Sequence, residues 1–456
     1  MTNKSLARSV ALLLAIVLVA TACTIDTGSS TSTGSGTEGG QGIEGAQQAD
    51  DGVAAPTTSA APAITGPVST FVPPLQGPFS SDGGTTTAAV DQSTIIIEEN
   101  PSLPRTLEGL PWPTDFSRRT VADWNEFLRG LQQEDPRDGI PPIDSPVFES
   151  PARAAEWLDP AEPGALVQVN GEARFYPLSI MTQHEIVNDA FGDIPVAVTY
   201  CPLCNTAIAF DRRVDGEVLR FGVSGLLRNS DLVMWDDQTT SLWQQITGDG
   251  VVGQFAGVEL ETVPTSIVSF GQFAANFPEG GSLAGESGRG RQSYGANPYV
   301  GYSSLDTPFL FDGETDDRLP ALSRVVGITD GDVVASYAFS DLARLQVVND
   351  DFDGRPIAVL WAPGTADALD GGTIASSNDI GTAVAYEPIV DGQNLTFTAN
   401  GDGTFTDDQT SSTWNIFGQA TDGSLAGSQL GAVEHRNEFW FAFQAFFGAD
   451  SLREQA

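Results

Sequence analysis

An uninterrupted apolar run fills residues 10–20, and no periodic apolar pattern follows it until about residue 103. That first run is shorter than the ~20 residues a membrane-spanning helix needs. Lys4 and Arg8 precede it and Thr21-Ala22-Cys23 closes it, the layout of a signal peptide over residues 1–22. Its end resembles a bacterial lipobox, so a lipid on Cys23 and attachment to the membrane are expected, with simple cleavage and secretion as the alternative. Residues 24–99 are mostly Gly, Ser, Thr, Ala and Gln. Too little apolar surface is present there to offset ordering entropy, which predicts a disordered tether over residues 23–100. Residues 121–131 place Val121, Trp124, Leu128 and Leu131 on one helical face. With the prolines at 136, 141, 142, 146 and 151 they predict a helix and Pro-rich lead-in over residues 101–165.

Beyond the lead-in the pattern repeats itself. Residues 166–278 form a first copy and residues 325–447 a second, separated by a Gly-, Ser- and Asp-rich connection over residues 279–324 that reads as a surface loop. Val187-Asn188-Asp189 returns as Val348-Asn349-Asp350, and Pro195-Val196-Ala197-Val198 as Pro356-Ile357-Ala358-Val359. Asp236-Asp237-Gln238-Thr239 and Trp243 return as Asp407-Asp408-Gln409-Thr410 and Trp414. Phe270, Phe273 and Phe277 return as Trp440, Phe443 and Phe447. In each copy the alternation predicts a strand, a helix (residues 178–190 in copy 1), a buried strand (196–200), a hairpin turning at Asp215-Gly216, a Trp-bearing strand and a short aromatic helix (267–277). Strands outnumber helices. The expectation is an α+β, mainly β fold, built as two tandem related lobes packed together after a disordered tether.

Charge removes one class of partner. Of 21 Lys+Arg and 60 Asp+Glu, no Lys follows Lys4, and the formal net charge is -39. Such an excess repels phosphate backbones and argues against nucleic-acid binding.

Comparison of the two copies locates the chemistry. Copy 1 alone reads Tyr200-Cys201-Pro202-Leu203-Cys204, where copy 2 has Trp361-Ala362-Pro363 and then a small polar insertion over residues 364–380. His184 matches Leu345. An extra stretch, residues 226–231, ends at Asp231, where copy 2 runs through Asn400-Gly401-Asp402-Gly403. A Cys-x-x-Cys pair supports thiol–disulfide exchange, with Cys201 or Cys204 as the attacking thiolate and His184 and Arg228 stabilising it. The redox partner, protein or small molecule, is not legible. The same spacing lets Cys201 and Cys204 join His184 in holding Cu or Zn. A structural disulfide in a passive surface module is the third reading. Asp236-Asp237, present in both copies, reads as a turn, and His435, beside Arg436 and Asn437, as plain surface. The Gly-rich stretches match neither a P-loop nor a dinucleotide fingerprint.

Asp138-Gly139-Ile140-Pro141, Val169-Asn170-Gly171-Glu172-Ala173, His184-Glu185-Ile186-Val187-Asn188-Asp189, Val198-Thr199-Tyr200-Cys201-Pro202-Leu203-Cys204 and Ser224-Gly225-Leu226-Leu227 together resemble the family called domain of unknown function 3179. The resemblance covers residues 138–447 and departs at Asn205, where the family tends to carry Gly. It implies an exported or lipoprotein-type chain. Some members are described as selenoproteins, which implies a redox or soft-metal role for the cysteine pair over a passive staple. It implies no substrate.

Overall fold

The computed structural model describes residues 94–455; the expected signal peptide, Cys23 and nearly all of the expected tether lie outside them. The fold is mainly β, and the two copies share one element order. Copy 1 runs β1 (Pro163–Val169), β2 (Glu172–Pro177), α1 (Leu178–His184), β3 (Ile186–Phe191), β4 (Ile194–Cys201), β5 (Thr206–Asp211), β6 (Phe221–Arg228), β7 (Asp231–Asp236), β8 (Leu242–Gln244), β9 (Thr265–Ser269) and α2 (Phe270–Asn276). Copy 2 runs β10 (Arg324–Asp330), β11 (Val333–Ala338), α3 (Phe339–Leu345), β12 (Val347–Phe352), β13 (Arg355–Ala362), β14 (Thr382–Glu387), β15 (Phe397–Ala399), β16 (Phe405–Asp407), β17 (Thr413–Trp414), β18 (Arg436–Phe439) and α4 (Trp440–Phe447). In each copy the first two strands pair with the last one (β9-β1-β2 and β18-β10-β11). The middle three form a second sheet (β3-β4-β5 and β12-β13-β14), and the Trp-bearing strands a third.

The repeated residues hold that shared frame through matching bonds. Asn188 clamps the backbone of Phe221, accepting its N–H at 2.9 Å and donating to its carbonyl at 2.7 Å; Asn349 does the same to Phe397 at 2.9 and 3.0 Å. Tyr176 donates to Asp189 at 2.5 Å and Tyr337 to Asp350 at 2.8 Å. Asp236 accepts from the Trp243 indole at 2.9 Å and from the Thr239 amide at 2.6 Å; Asp407 repeats both with Trp414 and Thr410. A buried indole N–H and a buried carboxylate satisfy each other, so this turn is structural in both copies.

Three local expectations need correction. Residues 121–131 form a three-residue 3-10 turn, Trp124–Glu126, followed by the strand Phe127–Arg129, instead of a helix. That strand completes the edge of the Trp-bearing sheet by pairing with Leu226 to Arg228. Phe127, which the helical pattern left off the apolar face, is fully buried. Tertiary pairing has overridden a marginal local period. Second, the helix expected over residues 178–190 ends at His184, because its cap Glu185 takes a left-handed backbone (φ 57°) and strand β3 starts at Ile186. Third, order begins earlier than expected, since Ile96–Ile97 pairs with Arg118–Arg119.

The two copies are not side by side as separate cores. One apolar cluster joins Tyr200, Cys201, Cys204 and Phe210 of copy 1 to Phe439, Phe441 and Ala442 of copy 2. Another joins Phe175, Phe270, Phe273 and Phe277 of copy 1 to Leu360, Tyr386, Phe405 and Trp414 of copy 2. The exchange is reciprocal: β5 meets β18, and the equivalent β14 meets β9. Each closing helix therefore reaches into the core of the other copy.

The connection between the copies is also more than a surface loop. Tyr302 is buried and its hydroxyl donates to the Leu203 carbonyl at 2.9 Å, inside the Cys-x-x-Cys turn. The copy 2 insertion braces this segment: Asn297 and Gly301 donate backbone N–H groups to the carbonyls of Gly372 and Asp370. Ser303 bonds Asp367 at 2.7 Å, and Asp367 in turn meets Arg324 at 2.6 Å. The insertion thus fastens a roof over the cysteine turn of copy 1.

Candidate functional site

Cys201 is the last residue of β4, and register with β5 pairs it with Thr206, so residues 202–205 are the loop of a β-hairpin. Asn205 sits at φ 54°, a left-handed conformation that favours Gly and that Asn tolerates best among the other residues. This accounts for Asn where the family tends to carry Gly. Both thiols are free, and Cys201 and Cys204 are 1% and 0% exposed.

A second hairpin brings in the third member. Arg228 pairs with Asp231 across the two-residue turn Asn229-Ser230, both residues at positive φ (51° and 66°), the mirror-image turn that suits strand twist. The turn sets the Ser230 carbonyl 3.8 Å from the Cys201 sulfur and places Asp231 against the pair. One donor atom from each of Cys201, Cys204 and Asp231 lies within 4.8 Å of the other two, and all three residues are buried. Asp231 Oδ2 is held by Gln244 Nε2 at 2.6 Å and by the Ile246 N–H at 3.0 Å. Asp231 Oδ1 has no hydrogen-bond partner among the described residues.

Two further buried acids surround this group. Glu185 closes α1, and its carbonyl accepts the Tyr200 N–H at 2.8 Å. Glu438 comes from β18 of copy 2; the next residue, Phe439, donates its N–H to the Cys204 carbonyl at 2.9 Å. Glu438 Oε2 faces the Thr206 hydroxyl at 3.4 Å, and Oε1 is unpartnered among the described residues. The electrostatics follow from burial. It pushes Asp231 up to about 6, against the pull of Gln244, the Ile246 amide and the facing Cys201 and Cys204 thiols. Burial, with the Asp231 charge adding, pushes Glu185 up to about 8. Glu438 rises to about 8 through burial, offset by Arg436 and reinforced by Asp231. The Cys201 thiol is raised by burial, and Cys204 is raised well above the usual thiol range for the same reason. The cluster is a buried, electronegative set of thiols and carboxylates.

The structure brings Cys201 and Cys204 together and separates the other two expected residues from them. His184 is engaged elsewhere: Nδ1 meets the Pro141 carbonyl at 2.6 Å and Nε2 meets the Tyr294 hydroxyl at 2.8 Å. A carbonyl can only accept, so Nδ1 carries the proton and Nε2 accepts from Tyr294, which itself accepts the Arg289 N–H at 2.7 Å. Burial lowers the imidazole's proton affinity, in keeping with that neutral form. Of the expected set of Cys201, Cys204 and His184, only the two cysteines converge, and the third donor atom beside them is from Asp231. Arg228 touches neither sulfur; it pairs with Glu126 at 2.8 Å and reaches Gln244 Oε1 at 3.3 Å, so it steadies Asp231 through Gln244. His435 is half-buried between the copies, bonded to the Val433 carbonyl at 2.8 Å and facing Ser266 at 3.4 Å, not plain surface.

The cluster suits a borderline metal ion. Tetrahedral Zn with bonds of ~2.3 Å to sulfur sets two thiolates about 3.7 Å apart, within the 4.8 Å spread of these donors. The unpartnered Asp231 oxygen fits the same reading, and no cationic side chain among the described residues bonds the three donors. A family model described as "Protein of unknown function (DUF3179)" matches residues 137–450, so the chain belongs to that family. No curated protein and no solved structure matches the chain.

Proposed function

We propose that this member of the DUF3179 family is an extracytoplasmic, membrane-anchored protein that binds a metal ion, Zn(II) or Cu(I), between Cys201, Cys204 and Asp231. The observation that carries the reading is the convergence of three buried donor atoms within 4.8 Å, one of them from a carboxylate with an otherwise unpartnered oxygen. Thiols next to buried carboxylates hold their protons, and a cation reverses that by replacing them. Gln244 and the Ile246 amide act as the outer shell that aims Asp231 at the ion.

Thiol–disulfide exchange is the second reading, supported by the closeness of the two sulfurs. Burial at 1% and 0%, under a roof tied down by Tyr302, counts against attack by a protein thiol. A hairpin turn also supplies no helix N-terminus to lower a thiol pKa.

The test uses the reduced full chain under argon, loaded with Zn(II) or Cu(I) and passed through a desalting column. One ion per chain is expected. Asp231→Asn should weaken binding at least tenfold, while His184→Ala leaves stoichiometry and affinity unchanged. A wild-type chain that retains neither ion, yet reduces a disulfide dye-peptide, would overturn the metal reading in favour of exchange. Anchoring is tested separately. Among the described residues no helix is long and apolar enough to cross a membrane, so the proposed attachment rests on Cys23. Cys23→Ser should move the protein from the membrane to the soluble fraction; an unchanged distribution would rule out the lipid.

A further inference from the structure

We propose that Ser266 and His435 form a nucleophile–base pair that hydrolyses small acyl esters in the cleft where the two copies meet, an activity separate from the proposed metal site.

The pair exists only because the copies exchange their closing strands. Ser266 lies on β9 of copy 1, and His435 immediately precedes β18 of copy 2. With Phe270 matched to Trp440, His435 stands where copy 1 has Thr265. Each copy therefore supplies one member, and neither closing strand holds both.

Hydrogen bonds set the imidazole for the task. Nδ1 meets the Val433 carbonyl at 2.8 Å, and a carbonyl only accepts, so Nδ1 carries the proton. Nε2 is then an open lone pair, and the Ser266 hydroxyl faces it at 3.4 Å. That hydroxyl makes no other hydrogen bond among the described residues, so Nε2 is where its proton goes. Burial lowers the proton affinity of His435, with Arg436 adding to this and the Val433 carbonyl and Glu434 opposing it, which keeps the imidazole neutral and able to take a proton. A hydroxyl with a single base partner, the base held through its other nitrogen, is the arrangement of an activated nucleophile. The 3.4 Å separation is longer than a closed bond, as in such pairs before substrate binds.

The pair lines a cavity of about 40 Å³ with walls from both copies. Leu166, Ile208, Val263, Val384 and Phe417 form its apolar side, and the exposed Glu434 marks its opening to solvent. One water-sized group needs about 10–15 Å³ of such space, so the cavity accepts about three heavy atoms, the size of an acetyl group. Gln168 offers the remaining donor. Ser266 pairs with Leu166 across β9 and β1, and Gln168, two residues along, shares their face. Gln168 lines the cavity half-buried, and its amide makes no hydrogen bond among the described residues. A side-chain amide is one of the groups that stabilise the oxyanion of acyl transfer.

The reaction balances with water as the only co-reactant. Ser266 Oγ attacks the ester carbonyl while its proton passes to His435 Nε2, and the Gln168 amide holds the oxyanion. The bond to the alcohol oxygen breaks, and Nε2 returns the proton to that oxygen. Water, deprotonated by Nε2, then attacks the acyl-serine; the acid leaves and the Ser266 hydroxyl regains its proton.

The test treats the full-length protein with methanesulfonyl fluoride, whose sulfonyl group is acetyl-sized, and with p-nitrophenyl acetate and p-nitrophenyl octanoate. A chelator is present, so that no metal-bound hydroxide contributes. The expected result is a covalent adduct mapped to Ser266 by peptide mass spectrometry, with the acetyl ester hydrolysed much faster than the octanoyl ester. Ser266→Ala should remove both the adduct and the hydrolysis. His435→Gln should slow both by at least about 100-fold, and Gln168→Ala should lower kcat by about 100-fold with KM little changed. The adduct on the folded wild type decides without any variant. No adduct, an adduct on another residue, or acetate hydrolysis that survives Ser266→Ala overturns the proposal, and equal rates on the two esters overturn the assigned acyl size.

Discussion

A chain ending at Pro278, which contains copy 1 with both thiols and no copy 2, should fail to fold. The closing helix α2 of copy 1 is seated among residues it would lose. Phe277 meets the Phe417 ring at 5.1 Å, and Phe270 and Phe273 share a cluster with Leu360, Tyr386 and Trp414. The cysteine hairpin would lose the Phe439 N–H bond on Cys204 and the roof bond from Tyr302 to Leu203. Each large apolar side chain returned to water costs ~1.5–3 kcal/mol. Several together exceed the ~5–15 kcal/mol by which a native domain is typically stable. The same reasoning applies to one residue: Trp440 is fully buried against Val325 and Phe443, with its indole donating to Asp316 at 3.2 Å. Trp440→Ala should cost about 3–5 kcal/mol and lower the melting of both copies in one transition. Circular dichroism and Ellman's reagent report the outcome. A truncated chain with cooperative melting and still-protected thiols would show that the copies are independent.

The duplication was legible because its blocks carry paired roles. Asn188 and Asn349 must clamp a strand, and Asp236 and Asp407 must satisfy an indole, so their spacing survives in both copies. The cysteine pair and the copy 1 stretch ending at Asp231 stood out by difference from copy 2. His184 stood out in the same way and misled, because its partners, Pro141 and Tyr294, come from the lead-in and the connection, which have no counterpart to compare. Glu185 left a signal that the sequence comparison passed over: Glu in one copy, Gln346 in the other, next to a histidine that drew attention first. Glu438 left almost none. It reaches Thr206 from 232 residues away, and only the exchange of closing strands between the copies reveals that contact. The false helix at residues 121–131 has a related cause. Its apolar spacing fits a helix only with Phe127 left off the face, and the edge it completes lies about a hundred residues downstream.

The metal-free and zinc-loaded proteins should respond to pH in opposite directions. Glu185 and Glu438, raised to about 8, and Asp231, raised to about 6, bind protons more tightly folded than unfolded. Between roughly pH 4 and 8 the unfolded chain therefore binds fewer protons, and the stability of the metal-free protein falls as pH rises. That contribution is fully present below the ordinary carboxylate range and is lost through the folded values. A tenfold difference in proton affinity between the folded and unfolded chain is worth ~1.4 kcal/mol, so these acids should lower Tm by at least roughly 5 °C between pH 5 and 9. Scans should stay above pH 5, because Asp135, held down to about 2 by Arg137, has the opposite sign and loses its contribution only in strong acid. Zinc inverts the trend. Its ligands must shed protons to bind, so affinity climbs with pH. At a thousandfold excess over Kd it adds about 4.1 kcal/mol to the folded state. The gap between the two Tm curves should then widen from pH 5 to 9, and Glu185→Gln, which removes one raised carboxyl, should flatten the metal-free curve. Scanning calorimetry in chelator and in zinc measures both curves; parallel curves would mean that the buried acids and the ion do not share a site.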